Sequence, residues 1–109
     1  MNGFKNIEKA AVLSLREQVA IQEGQVVSRT LAQNDAVSVT LFAFDQGEEI
    51  SSHRSGGDAM VTCLEGVGRI TVDDTVYTLR EGDSIVMPAG HPHAVFGVEQ
   101  FKMLLVVVF

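Results

Sequence analysis

The chain has 109 residues, of which 46% are hydrophobic and 20% charged, with a net charge of −6. This length fits one domain with one core, and the composition excludes disorder. The acidic balance, with a pI of about 4.8, argues against a nucleic-acid groove and against an anionic membrane surface, both of which need clustered Lys and Arg.

Residues 1–23 read as an N-terminal arm and 24–109 as the body of the same domain. Within the arm, Ile7, Ala10, Ala11, Leu13 and Leu15 mix two periodicities. A brief strand near Val12–Leu15 is expected, with a helix as the alternative because Glu8, Lys9, Ala10 and Ala11 are good helix formers. No secretory h-region and no run of ~18 apolar residues is seen, so a cytoplasmic location is expected.

From Gly24 onward the period is two. Gln25–Leu31 is a predicted strand, followed by a turn at Gln33-Asn34-Asp35. Val37–Phe44 alternates, with Val37, Val39, Leu41 and Ala43 on one face and Ser38, Thr40, Phe42 and Phe44 on the other. Phe42 and Phe44 make the second face apolar, so cover is expected on both sides. Strands are also predicted at Ile50–Ser55 and at Ala59–Leu64, the latter stopped by Gly66 and Gly68. Arg69–Val72 and Val76–Leu79 form a hairpin across Asp73-Asp74. Ser84–Met87 ends at Pro88, and His91-Pro92-His93 leads into Ala94–Phe96. The final run, Phe101–Phe109, is apolar on both faces from Met103 onward. It must either pair centrally or lie in a subunit interface. Some ten short strands with glycine turns predict an all-β sandwich or barrel.

A single cysteine, Cys63, rules out an intrachain disulfide and reads as a small core residue. Met60, Met87 and Met103 read as core, and Phe42, Phe44 and Phe96 as core or pocket wall. Arg54 and Arg69 read as solvated residues, with contact to an anionic ligand as the alternative.

Two stretches carry a resemblance. Gly47, His53 and Gly66 stand at the fixed positions of G-x5-H-x-H-x3/4-E-x6-G, and Gly82, Pro88, Gly90 and His93 at those of G-x5-P-x-G-x2-H-x3-N, whose last position is Gly97 here. Over residues 37–109 the chain therefore resembles a small single-domain cupin. The resemblance implies a double-stranded β-helix (jelly-roll barrel), often dimeric, with a pocket inside the barrel.

Cupins that bind a metal use two motif-1 histidines, the glutamate and the motif-2 histidine. By that resemblance His53 and His93 match the first and last, while Ser55 and Ala59 stand at the other two positions. Serine hydroxyl and alanine methyl do not replace imidazole and carboxylate. A bulge at Gly56-Gly57 would turn Asp58 inward and give a two-histidine, one-carboxylate set. His91 is a further candidate ligand. If His53 and Ser55 share one strand face, both point into the pocket.

The expected pocket is His53, Ser55, Ala59, Val61 and His93. The candidate metal set is His53 and His93, with Asp58 or His91, for a divalent transition metal such as Fe, Ni, Zn or Mn. The favoured function is binding of a small organic molecule in the barrel by a cytoplasmic homodimer. The alternatives are a metal-dependent oxygenase or isomerase, and a non-catalytic dimeric interaction module. Whether the protein is an enzyme stays open at this point.

Overall fold

A computed structural model describes residues 3–109. Nine strands follow a 3-10 turn at Leu15–Gln18. They are β1 (Val26–Gln33), β2 (Val37–Phe44), β3 (Glu49–His53), β4 (Asp58–Glu65) and β5 (Val67–Val72). Then come β6 (Thr75–Arg80), β7 (Ser84–Met87), β8 (His93–Gly97) and β9 (Phe101–Val108). A five-stranded sheet runs β1-β2-β9-β4-β7, and a four-stranded sheet runs β3-β8-β5-β6. Every strand pairing is antiparallel. This is the all-β fold that the strand spacing predicted, in the double-stranded β-helix form that the resemblance implied.

The apolar C-terminal run takes the central option. Strand β9 pairs with β2 on one side and β4 on the other. Phe101, Met103 and Val107 face the interior, where they join Phe44, Val61, Ile70 and Met87 in the main core. Cys63 belongs to this core, and burial pushes its thiol up to about 11, so it stays protonated.

Strand β2 is covered on both faces. Phe42 and Phe44 join the main core. Leu41 and Ala43 join a second cluster with Leu31 and Val19, capped by Ile7, Leu15 and Ile21 of the arm. The arm is tied down through its backbone. Lys5 N–H donates to the Leu31 carbonyl at 2.7 Å, and Arg29 and Lys102 donate to the carbonyls of Gln18 and Arg16, each at 2.7 Å.

Several local expectations are corrected. Val12–Leu15 forms no strand, because the arm lies over the outer face of the sheet without joining its ladder. Strand β1 runs on to Gln33, and the turn is closed by Asn34 Oδ1, which accepts from the N–H groups of Ala36 and Val37. Gly68 stops nothing: it lies inside β5, directly against Phe101. A Cβ there would stand 2.4 Å from the Phe101 ring, so only glycine lets the two sheets close on that ring. Met60 is 41% exposed and is not core, because it lies on the outer face of β4. Phe96 is half-buried on the outer face of β8, where the Arg69 guanidinium stacks 4.8 Å above its ring. No helix among the described residues is long and apolar enough to cross a membrane.

Gly68→Ala is expected to destabilise the fold by roughly 1–3 kcal/mol through overpacking. The check is a lowered urea midpoint at unchanged m-value, partly restored in Gly68→Ala/Phe101→Leu. A midpoint equal to that of the unmodified chain would show that the ring moves aside freely.

Candidate functional site

The site is built on a cross-strand pair. His53 on β3 lies opposite His93 on β8. His93 is only 4% exposed, whereas His53 is exposed. Their rings meet edge to face, with centroids 4.2 Å apart and Nε2 atoms 3.0 Å apart.

A bulge in β3 makes this possible. Ile50 pairs with Val95 and His53 with His93, so β3 carries one more residue than β8 over that interval. In a regular strand, residues three apart face opposite ways. The extra residue turns both Ile50 and His53 toward the interior. There they line a cavity of about 40 Å³ with Phe42, Met87, Met103 and Leu105. His93 and Val95, two apart on β8, complete the lining.

Each imidazole already has a partner on Nδ1. His53 Nδ1 faces the Ser51 carbonyl at 3.0 Å, and His93 Nδ1 faces the His91 carbonyl at 3.3 Å. A carbonyl only accepts, so both Nδ1 atoms carry the proton. In neutral rings both Nε2 atoms are then acceptors, facing each other with nothing to accept. A shared proton or another electron-pair acceptor resolves that opposition. The His93 imidazole titrates below its usual value near 6.5, first because it is buried and then because of the His53 charge beside it; the bond to the His91 carbonyl opposes this weakly.

The other expected site residues lie elsewhere. Strand β3 ends at His53, so Ser55 is in a loop, where its Oγ donates to the Gly57 carbonyl at 2.5 Å and its own carbonyl accepts from Gly90 N–H at 3.0 Å. It is a loop brace, not a pocket group. Ala59 and Val61 are buried in the main core and do not line the cavity. Asp58 does not turn inward. Its Oδ1 accepts from Ala89 N–H at 2.9 Å on the exposed side of β4. The bulge expected at Gly56-Gly57 falls earlier, in β3. Gly57 is instead pressed against the backbone of β9: a Cβ there would stand 2.2 Å from the Val108 carbonyl oxygen. His91 points away and pairs with Asp73 at 2.9 Å.

Sequence reasoning missed Ile50, Met87, Val95, Met103 and Leu105 as lining residues. Strand parity on β9, which puts Met103 and Leu105 on one face with Phe101, was an available signal for these two. Nothing in the sequence marked Ile50, since the bulge that turns it inward has no residue signature.

Among the described residues, no group of three or more His, Cys, Asp or Glu side chains converges to hold a metal ion. Two imidazoles suit a transition metal, but the third and fourth protein donors are missing. The residues present do not make up a resident metal site on protein ligands alone.

A two-sheet jelly-roll with paired histidines at its cavity defines a class of β-barrel proteins. The chain belongs to the cupin family: residues 40–109 match the family described as cupin domain. A conserved protein of unknown function from Streptococcus pyogenes is 52% identical, with a TM-score of 0.96 over 99% of this chain and 95% of the other. A cupin superfamily protein from Desulfitobacterium hafniense is 36% identical, with a TM-score of 0.93 over 97% of each chain. The 5-nitrosalicylic acid 1,2-dioxygenase of a Bradyrhizobium species is 31% identical over 101 residues, 86% of this chain and 47% of the dioxygenase. The chain thus spans about half the length of that curated relative.

The depressed His93 titration fixes a sign. The unfolded chain takes up the proton more readily than the folded one, so stability from this group is present above the usual value near 6.5 and is lost as pH falls through the lower folded value. Thermal midpoints of the unmodified chain are therefore expected to drop as pH falls below about 6.5. His93→Gln is expected to flatten that drop, and an identical pH profile in the variant would refute the assignment.

Proposed function

We propose that this cupin binds a small ligand at the His53–His93 end of its barrel, with the two imidazoles as the polar anchor. The supporting observation is the convergence of two Nε2 atoms whose Nδ1 partners are already taken. Such a pair favours a ligand that brings a donor, such as a hydroxyl or amide N–H, set against a wall of apolar side chains.

Size constrains this reading. A cavity of about 40 Å³ holds only a few atoms. The ligand's polar head enters, and its body rests at the mouth beside the exposed His53. Met87 and Met103 are the compliant walls, since thioether chains have three rotatable bonds and adapt to irregular shapes.

A second reading, a metal-dependent oxygenase, draws support from the likeness to the Bradyrhizobium dioxygenase. It would need a divalent metal of the Fe, Ni, Zn or Mn class to complete its coordination from water or substrate, because Asp58 and His91 are engaged elsewhere. The missing protein donors place it behind the first reading.

Thermal shift against small hydroxy and amide compounds, and separately against Fe(II), Ni(II), Zn(II) and Mn(II), separates the two. A bound organic ligand at 100 times its Kd adds about 2.7 kcal/mol, a rise of roughly 10–20 °C for a domain of this size. That rise is expected to vanish in His93→Ala. Micromolar binding of one metal, lost in both His53→Ala and His93→Ala and unaccompanied by any organic ligand, would displace the first reading in favour of the second.

A further inference from the structure

Ser55, Asp58, Asp73 and His91 do not line the cavity, yet all of them help to hold one short segment. Residues 88–92 lead into β8 and end one residue before His93. On one side, Asp58 Oδ1 accepts from Ala89 N–H at 2.9 Å, and the Ser55 carbonyl accepts from Gly90 N–H at 3.0 Å. On the other, His91 Nδ1 donates to Asp73 Oδ2 at 2.9 Å, and Asp73 N–H donates to the Pro92 carbonyl at 2.9 Å. Asp73 thus grips two consecutive residues, one through its side chain and one through its backbone.

The β5–β6 hairpin places Asp73 for this. Val72 lies opposite His93 in the β5–β8 ladder, so the residue after it turns over the entry to β8. Its φ of 54° is left-handed, a conformation that aspartate tolerates better than most residues with a Cβ. Pro92 adds stiffness, because its ring fixes φ and biases the residue before it toward extended backbone.

One group of this segment reaches the site. The His91 carbonyl faces His93 Nδ1 at 3.3 Å. That is long for an N–H···O bond, so a small movement of the carbonyl would lose it. The contact decides where neutral His93 keeps its single proton, because the tautomer follows the bonds that the ring nitrogens make. With the proton on Nδ1, Nε2 is an acceptor. With the proton on Nε2, His93 would donate to His53 Nε2, 3.0 Å away. The two rings would then satisfy each other and leave no acceptor for a ligand's donor.

We infer that Asp73 and His91 are positioning residues for His93. They hold the His91 carbonyl where it keeps the His93 proton on Nδ1, and so keep the imidazole pair open. This rests on the reading of the two imidazoles as the polar anchor of a ligand. The exposure of the clamp supports the role. The Asp73 and His91 side chains are 53% and 51% exposed, and an ion pair in that setting adds little to the stability of the whole fold. Its effect is local, on the segment that it grips. The His53 proton, by contrast, is held from within its own strand by the Ser51 carbonyl.

Nitrogen-15 NMR of the imidazoles in the ligand-free chain tests this, since protonated and unprotonated ring nitrogens resonate far apart. At about pH 8, above the ordinary imidazole value near 6.5, both rings are neutral. The unmodified chain is expected to show His93 with its proton on Nδ1. Asp73→Gly keeps the left-handed turn, and His91→Ala keeps the backbone carbonyl. Each is expected to shift the His93 tautomer ratio toward the Nε2–H form by roughly fivefold, the worth of one ordinary hydrogen bond. Asp73→Asn and His91→Gln retain an acceptor and a donor at these positions and are expected to restore most of the Nδ1–H form. Asp83→Ala removes a similar turn bond, the one from Arg80 N–H at 2.9 Å. It is expected to lower the thermal midpoint without moving the His93 ratio. An Nε2–H form in the unmodified chain, a ratio unchanged in either Asp73→Gly or His91→Ala, or an equal shift in Asp83→Ala would overturn the inference. His91→Ala carries the test alone should Asp73→Gly fail to fold. A ligand screen that finds nothing leaves these spectra as they are, so the clamp and the ligand reading fail separately.

Discussion

Strand β9 is apolar on both faces, and much of the molecule follows from covering it. Seven consecutive apolar residues from Met103 to Phe109 leave no polar side to turn outward. Central pairing between β2 and β4 satisfies its backbone. The four-stranded sheet closes over its inner face, and the arm closes over part of its outer one. The approach of the sheets is set where Phe101 meets Gly68. The arm lies over this apolar outer face, tied by one backbone bond to β1 and by the Arg29 and Lys102 side chains, which donate to its carbonyls.

The histidine pair is a consequence of the same closure. Strand β8 lies between β3 and β5, so His93 is buried, while β3 is an edge strand and His53 stays open to solvent. One ring is thus held by its surroundings and the other is open to solvent. The two carbonyls that occupy Nδ1 on both rings set the polarity of the site without any charged side chain. This separates the site from a donor-rich metal centre. The carboxylate nearest in sequence, Asp58, instead caps the Ala89 N–H, and His91 is held by Asp73.

Much of the fold was legible because it rests on local signals. Alternation on β2 located both of its covered faces, and the two-sided apolar run marked a last strand that needs cover on both sides, central pairing being one of its two options. The hairpin at Asp73-Asp74 formed as its turn residues indicate, with Asp73 at φ 54°. The site was less legible. His53 and His93 were found through motif spacing, but Ser55 was placed on the pocket face by assuming a regular strand. A bulge between Ile50 and His53 reset that parity, and the strand then ended at His53. Ala59 and Val61 do face inward, yet they are packed in the core away from the cavity. Strand parity says which side a residue faces, not what it meets there.

The sequence by itself determined an all-β fold, a likeness to the cupin family carried by two spaced motifs, a last strand that needs cover on both faces, and a cysteine that reads as core. The strands depend on residue type and on periods of two, and the family likeness on the spacing of glycines, proline and histidines, all of which are local properties. Only the tertiary structure decided that His53 and His93 face each other at 3.0 Å, that Asp58 and His91 are engaged elsewhere, and that the cavity between the sheets is small. Those outcomes depend on a register shift of one residue and on the distance between two packed sheets. Both arise from contacts among residues far apart in the chain, which no local pattern encodes.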